Sequence, residues 1–247
     1  MRCGRAISAG LIAGGVLVAG ALAAIGTLDV GAFSREQPGT SLPADWTPLT
    51  FRNIPRHTLY TLVRDPQAGV VVRAEARQSA SGLIRTVDLV ASEWPLLRWR
   101  WKAENLIESG DVTRKEGDDY PTRIYVSFRY TPERLSLLDR AKYTAARVLY
   151  GEYPPHAGLN YIWDAKAPVG TVVANPFTDR VKMVVVESGP QHLRQWRAYE
   201  RNIVADYRRA FGEEPPPVAG IALMTDADNT GEMATAYYGD ITLSPAP

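Results

Sequence analysis

The 247-residue chain is long enough for one large domain with a proper core, and its 45% hydrophobic and 22% charged residues describe a globular protein rather than a disordered one. A formal net charge of +1 excludes the basic footprint of a dedicated nucleic-acid binder, so no nucleic acid is expected among its partners. Twenty glycines and eighteen prolines suit a turn-rich, mostly β domain.

The N-terminus carries a targeting pattern. Arg2 and Arg5 precede an uncharged run from Ala6 to Leu28, and Ala21-Leu22-Ala23 offers a small-residue cleavage site. As a helix the run would extend about 35 Å at about 1.5 Å per residue, enough to cross a bilayer. Residues 1–28 therefore read either as a cleaved signal peptide or as a transmembrane anchor. Positive-inside logic leaves both arginines in the cytoplasm and exports the domain, which is expected in the periplasm or anchored at the inner membrane facing it. Cys3 precedes the apolar run, so it does not sit where a lipoprotein cysteine would, and the exported part can form no disulfide.

Residues 29–45, "DVGAFSREQPGTSLPAD", are small, polar and proline-containing and read as a linker to a domain over 46–247. Strand patterns follow at 46–52, 58–64, 69–76, 83–90, 96–103, 122–130, 158–164, 180–187, 195–206, 218–225 and 235–243, most of them bounded by Gly, Pro, Asp or Asn. This succession of short strands predicts a two-sheet β-sandwich and not a βαβ fold. One helical insertion interrupts it over 132–150. Thr131 is placed to cap it and Pro132 to open it. Leu135, Leu138, Ala141, Ala145 and Val148 line one face, and Gly151 with Pro154-Pro155 stops it.

Two strands stand out for their chemistry. In "LLRWRWKA", 96–103, Leu97, Trp99, Trp101 and Ala103 fall on one face and Arg98, Arg100 and Lys102 on the other. In "TRIYVSFRY", 122–130, Ile124, Val126 and Phe128 oppose Arg123, Tyr125, Ser127 and Arg129. Were the strands neighbours, one face would gather five cations and a tyrosine, either solvated and ion-paired or arranged for an anionic ligand. Between them "ESGDVTRKEGDDY" holds Asp118 and Asp119 in turn chemistry; its carboxylates read as counter-ions to the cationic face or as part of a calcium cluster.

Near the C-terminus "DADNTG", 226–231, starts like a calcium loop with Asp226, Asp228 and Gly231, but its twelfth position is Tyr237, not the required Glu. It reads as a hairpin loop, with Asp226, Asp228 and Asn229 at a ligand or ion contact as the alternative. No cofactor is implied, and calcium is the one cation in question. His57, His156 and His192 lack zinc spacing, and neither a G-x-S-x-G elbow nor a P-loop is present. Trp163, Tyr161, Trp196, Tyr237 and Tyr238 are candidates for sugar stacking or for packing.

The segments "LRWRWKAENL", "GDDYPTRIYVSF", "LNYIW", "QWRAYERNIVADYRRAFGEEPP" and "GIALMTDADNTGEMATAYYGDITL" together resemble the bacterial domain-of-unknown-function 3047 family over roughly 46–243. The closing pattern is also similar to jelly-roll modules of the galactose-binding type, a resemblance that implies carbohydrate binding. The sequence thus leads to an exported, non-enzymatic domain binding an anionic glycan or other envelope component. Arg98, Arg100, Lys102, Arg123, Tyr125 and Arg129 would grip it, with Asp226, Asp228 and Asn229 at the rim. A polysaccharide lyase with Tyr125 as base, a glycoside hydrolase, or a structural part of an envelope assembly are the alternatives.

Overall fold

A computed structural model gives the positions of residues 26–138, 140–141, 143–144 and 155–246. The expected signal or anchor lies almost wholly outside the described residues, as does the end of the helical insertion. Among the described residues no helix is long and apolar enough to cross a membrane.

In chain order the strands are β1 (Leu28–Gly31), β2 (Thr47–Leu49), β3 (Leu59–Asp65), β4 (Gly69–Arg77), β5 (Ala80–Leu89), β6 (Leu96–Ala103), β7 (Arg123–Phe128), β8 (Ala157–Asp164), β9 (Val172–Asn175), β10 (Thr178–Ser188), β11 (Arg197–Asn202), β12 (Val218–Asp226) and β13 (Met233–Ser244). One sheet runs β11-β6-β13-β4-β3, with β1 also paired to β13; the other runs β2-β5-β12-β7-β8-β10-β9. The pairings are antiparallel except β8 with β10. This is the expected jelly-roll-like sandwich.

Period-two patterning builds the core. Leu97, Trp99 and Trp101 of β6 and Ile124, Val126 and Phe128 of β7 all point inward and are buried in one cluster. Rings from the two sheets meet there: the Trp99 centroid lies 5.2 Å from that of Tyr161. Of the aromatics read as candidates for stacking or packing, Tyr161, Trp163 and Tyr238 are buried in this core, the packing alternative.

Four local expectations change. Residues 28–31 are a strand paired along the end of β13, and Val30 and Phe33 are fully buried, so the start of the supposed linker belongs to the sandwich. The strand expected over 195–206 ends at Asn202, whose side chain accepts hydrogen bonds from the Val204 and Ala205 amides and opens helix α1 (Ile203–Phe211). Gly212, at φ 75°, closes that helix in the left-handed conformation that glycine tolerates best. The insertion begins as a 3-10 turn at Pro132–Arg134, breaks at the extended Leu135 and is helical again from 137; Thr131 makes no capping bond, Leu135 is buried and Leu138 exposed, while Ala145 and Val148 lie outside the described residues. Finally, β12 and β13 lie in different sheets, so the 226–232 segment is a crossover between layers and not a hairpin.

Candidate functional site

The same topology divides the expected cationic face. β6 lies in the six-stranded sheet and β7 in the seven-stranded one, and both send their apolar residues inward, so their polar residues face opposite sides of the sandwich. On the β6 side the cations are matched internally. Arg98 pairs with Glu200 at 2.5 Å, and Lys102 with Asp65 at 2.7 Å. Arg100 donates to the Ala68 carbonyl at 2.9 Å. Lys102 Nζ also lies 4.4 Å from the Tyr237 ring centroid and 5.3 Å from that of Trp196, which places those two aromatics beside a lysine. Arg129, just beyond β7, pairs with Asp88 at 2.8 Å. The 108–119 carboxylates are not the counter-ions of the β6 cations.

What the structure does bring together is Arg123, Tyr125, Asp226, Asp228 and Asn229, joined by Asp118 and Asp119. Arg123 opens β7 and is only 2% exposed. Its Nε donates to Asp226 Oδ1 at 2.8 Å, its Nη1 donates to Tyr125 Oη at 3.0 Å, and its Nη2 donates to Asp226 Oδ2 and to the Asp118 carbonyl. The Asp118 carboxylate stands 3.6 Å from Nη1, and the guanidinium carbon lies 4.4 Å from the Tyr120 ring centroid. Buried, bidentate and stacked, Arg123 is a brace, one no lysine would reproduce. Burial pushes the Tyr125 phenol up to about 12, against the pull of the Arg123 charge. Burial likewise drives the Asp226 carboxyl above its ordinary range despite Arg123, with Asp119 and Asp118 adding to the rise. Asp228 is raised by burial and then by Asp119.

Around this brace the outer face of the seven-stranded sheet is hollow. Ser127 on β7, Gly158 on β8 and Ala222 on β12 are small residues at outward positions, and they floor a largely apolar cavity of about 520 Å³. Ile84, Val181 and the exposed ring of Phe51 wall it, and Arg180 lies at its side. A second cavity of about 740 Å³ continues past Phe51 and Tyr125, which line both, to Arg123, Asp226, Asp228 and Asn229. The two form one mostly apolar groove, with Arg123 and the acidic and amide side chains gathered at one end. Phe51, Ile84, Gly158, Arg180 and Val181 were not anticipated; the available signal was small residues at outward strand positions. At the polar end, oxygens of Asp119, Asp226 and Asp228 lie within 4.8 Å of one another, a donor set of the kind that holds a cation such as calcium. The histidines take no part: His156 is buried with its Nδ1 3.3 Å from Thr131 Oγ1, and His192 pairs with Glu187 at 3.1 Å.

Residues 44–242 match the family model described as protein of unknown function, DUF3047, and the chain belongs to that family. No curated protein matches it in sequence. Similar solved structures include the family 11 carbohydrate-binding module of the cellulosomal cellulase Lic26A-Cel5E of Clostridium thermocellum, at 11% identity and TM-score 0.46, covering 90% of this chain and 96% of the module. The K1 cleaved adhesin domain of the Lys-gingipain of Porphyromonas gingivalis is similar at 10% identity and TM-score 0.41, covering 90% and 99%. Likenesses at this level assign neither ligand nor residue roles.

Proposed function

Within that family, we propose that this chain is an exported, non-catalytic binding domain that holds an extended glycan along the groove on the outer face of the seven-stranded sheet. The observation that carries the reading is the continuity of the two cavities through Phe51 and Tyr125. Aromatic rings and a floor of small residues suit the flat apolar faces of sugar rings, and the end that carries Asn229, Asn175 and Asp228 suits hydroxyl groups. Acidic substituents on the glycan would be met by Arg52 and Arg180, which line the two cavities, rather than by Arg98, Arg100 or Lys102 on the far sheet. Arg123 acts through Tyr125, holding its hydroxyl in place. A phenol raised to about 12 is a poor general base at neutral pH, which favours binding over lyase chemistry at this site.

Calorimetric titration with a panel of neutral and uronate oligosaccharides tests this. Phe51→Ala and Tyr125→Ala are each expected to weaken binding about tenfold, a loss of about 1.4 kcal/mol. Arg98→Ala, on the opposite side, should bind as the wild type does, and Arg180→Ala should weaken acidic ligands more at low than at high salt. Unchanged affinity in both aromatic variants overturns the placement, and release of unsaturated or reducing ends from any polymer overturns the non-catalytic reading.

A further inference from the structure

The polar end of the groove carries more negative charge than its surroundings balance. Asp118, Asp119 and Asp226 are buried and Asp228 is half-buried, while Arg123 is the one buried guanidinium among the described residues and its bidentate pairing is spent on Asp226. Arg52, which lines the same cavity, is exposed. Asp119 receives the Thr230 amide on Oδ2 at 2.6 Å, but its Oδ1 is buried with no hydrogen-bond donor. Asp118 lines the same cavity and adds a fourth carboxylate, but it is partnered: its Oδ1 lies 3.6 Å from Arg123 Nη1 and its Oδ2 accepts from Asn175 Nδ2 at 3.0 Å, so the orphaned acceptor is Asp119 Oδ1. Buried acceptors without donors are costly in a folded protein and call for an ion or water.

We infer that Asp119, Asp226 and Asp228 form a binding site for a divalent, oxygen-preferring cation, calcium ahead of magnesium. The three carboxylates come from two segments that are distant in sequence: the loop before β7 and the crossover from β12 to β13. Hydrogen bonds already join these segments, from the Tyr120 amide to Asp226 Oδ1 at 3.2 Å and from the Thr230 amide to Asp119 Oδ2. A cation between them would tie these two segments together at the mouth of the groove, beside the paired strands β7 and β12. Calcium accepts about six to eight oxygens in adaptable geometry, so a loop-borne set of carboxylates completed by water suits it; magnesium demands a stricter octahedron and gives up water reluctantly. The competing way to neutralise the cluster is a proton shared among the carboxylates, consistent with the raised Asp226 and Asp228. The inference shares Asp228 with the glycan reading but is tested with calcium alone, so either can fail without the other.

The test is calorimetry and thermal melting of the full chain after EDTA treatment, with calcium chloride or magnesium chloride added. One calcium site is expected, in the range of about 10⁻⁴–10⁻³ M usual for extracellular modules, with magnesium at least about tenfold weaker. Calcium at ten times its Kd should raise the melting temperature by about 3–6 °C. Asp228→Asn, which spares the Arg123 ion pair, should lose the binding heat and the calcium shift. In EDTA it should melt at or above the wild-type temperature, because it removes one of the crowded carboxylates; a merely structural Asp228 would give the opposite sign. Asp119→Asn should repeat the loss of calcium heat. Absence of calcium heat and of a melting shift up to 10 mM overturns the site in favour of the shared proton, and so does an equal calcium shift in wild type and Asp228→Asn.

Discussion

Arg123→Met isolates the brace at the centre of the groove. The side chain is buried and directs its donors to Asp226, Tyr125 and the Asp118 carbonyl, so the substitution keeps much of the volume and removes the charge. It leaves Asp226 buried beside Asp118 and Asp119 with no cation, the situation in which breaking a buried pair costs about 3–5 kcal/mol. Asp226 can escape by taking a proton, and each unit by which its folded pKa exceeds the solution pH lowers the penalty by about 1.4 kcal/mol. Its folded pKa already lies above the unfolded value, chiefly through burial, and loss of Arg123 raises it further. The folded state then binds more protons than the unfolded chain, so stability is present at low pH and is lost as pH rises through the folded pKa. Urea unfolding at pH 5.5 and 7.5 reads this as a shift in midpoint at constant m. The deficit of Arg123→Met is expected to be larger at pH 7.5 by up to about 2.7 kcal/mol, two pH units at about 1.4 each. Arg123→Met/Asp226→Asn should recover part of it, with a coupling of about 1–3 kcal/mol. A loss below about 1 kcal/mol at pH 7.5, or equal losses at the two pH values, refutes the view that Arg123 offsets the burial of the Asp226 carboxylate.

Two further predictions concern the frame that carries the groove. Phe33→Ala should destabilise by about 3–5 kcal/mol in denaturant unfolding, because Phe33 is fully buried against Trp46 at a centroid distance of 5.4 Å; a flexible linker there would lose nothing. Asn202→Ala should cost about 1 kcal/mol by removing the cap that receives the Val204 and Ala205 amides, with Asn202→Ser largely restoring it; identical melting of Asn202→Ala and wild type would show that packing alone fixes α1.

Alternation made most of the fold legible before any coordinates. β6 matches the 96–103 expectation residue for residue, and β7, β8, β10 and β12 depart from their expected limits by two residues or fewer. Such strands are buried on one face at least, and burial on a pleated surface leaves a period-two record. The failures share a different cause. β1 and β9 have four residues each, too few to repeat a period, and β1 sits in a stretch whose Ser, Pro and Gly resemble a linker. α1 was hidden because "RAYERNIVADY" keeps a strand-like mixture up to Asn202 and changes period only afterwards; the cap and Gly212 were its signals.

The site was legible only in its parts, because a period-two pattern says which side of a strand a residue occupies and is silent on which sheet holds the strand. "LRWRWK" and "TRIYVSFR" carry the same alternation, and the inference that their cations share a surface needed β6 and β7 to be neighbours. In a two-layer sandwich, equal inward patterning of strands from opposite layers guarantees that their polar faces point apart. One chain crossing therefore separates Arg98, Arg100 and Lys102 from Arg123. The acidic loop shows the converse. Asp226 and Asp228 fail the spacing of a contiguous calcium loop, yet the crossover brings them to Asp119, more than a hundred residues earlier. Local spacing can reject a ligand set drawn from one loop, but it is blind to one assembled where a chain changes layers. Segments that pass between sheets with paired Asx residues at both ends are where such sets arise, and they escape any motif written along a single stretch of sequence.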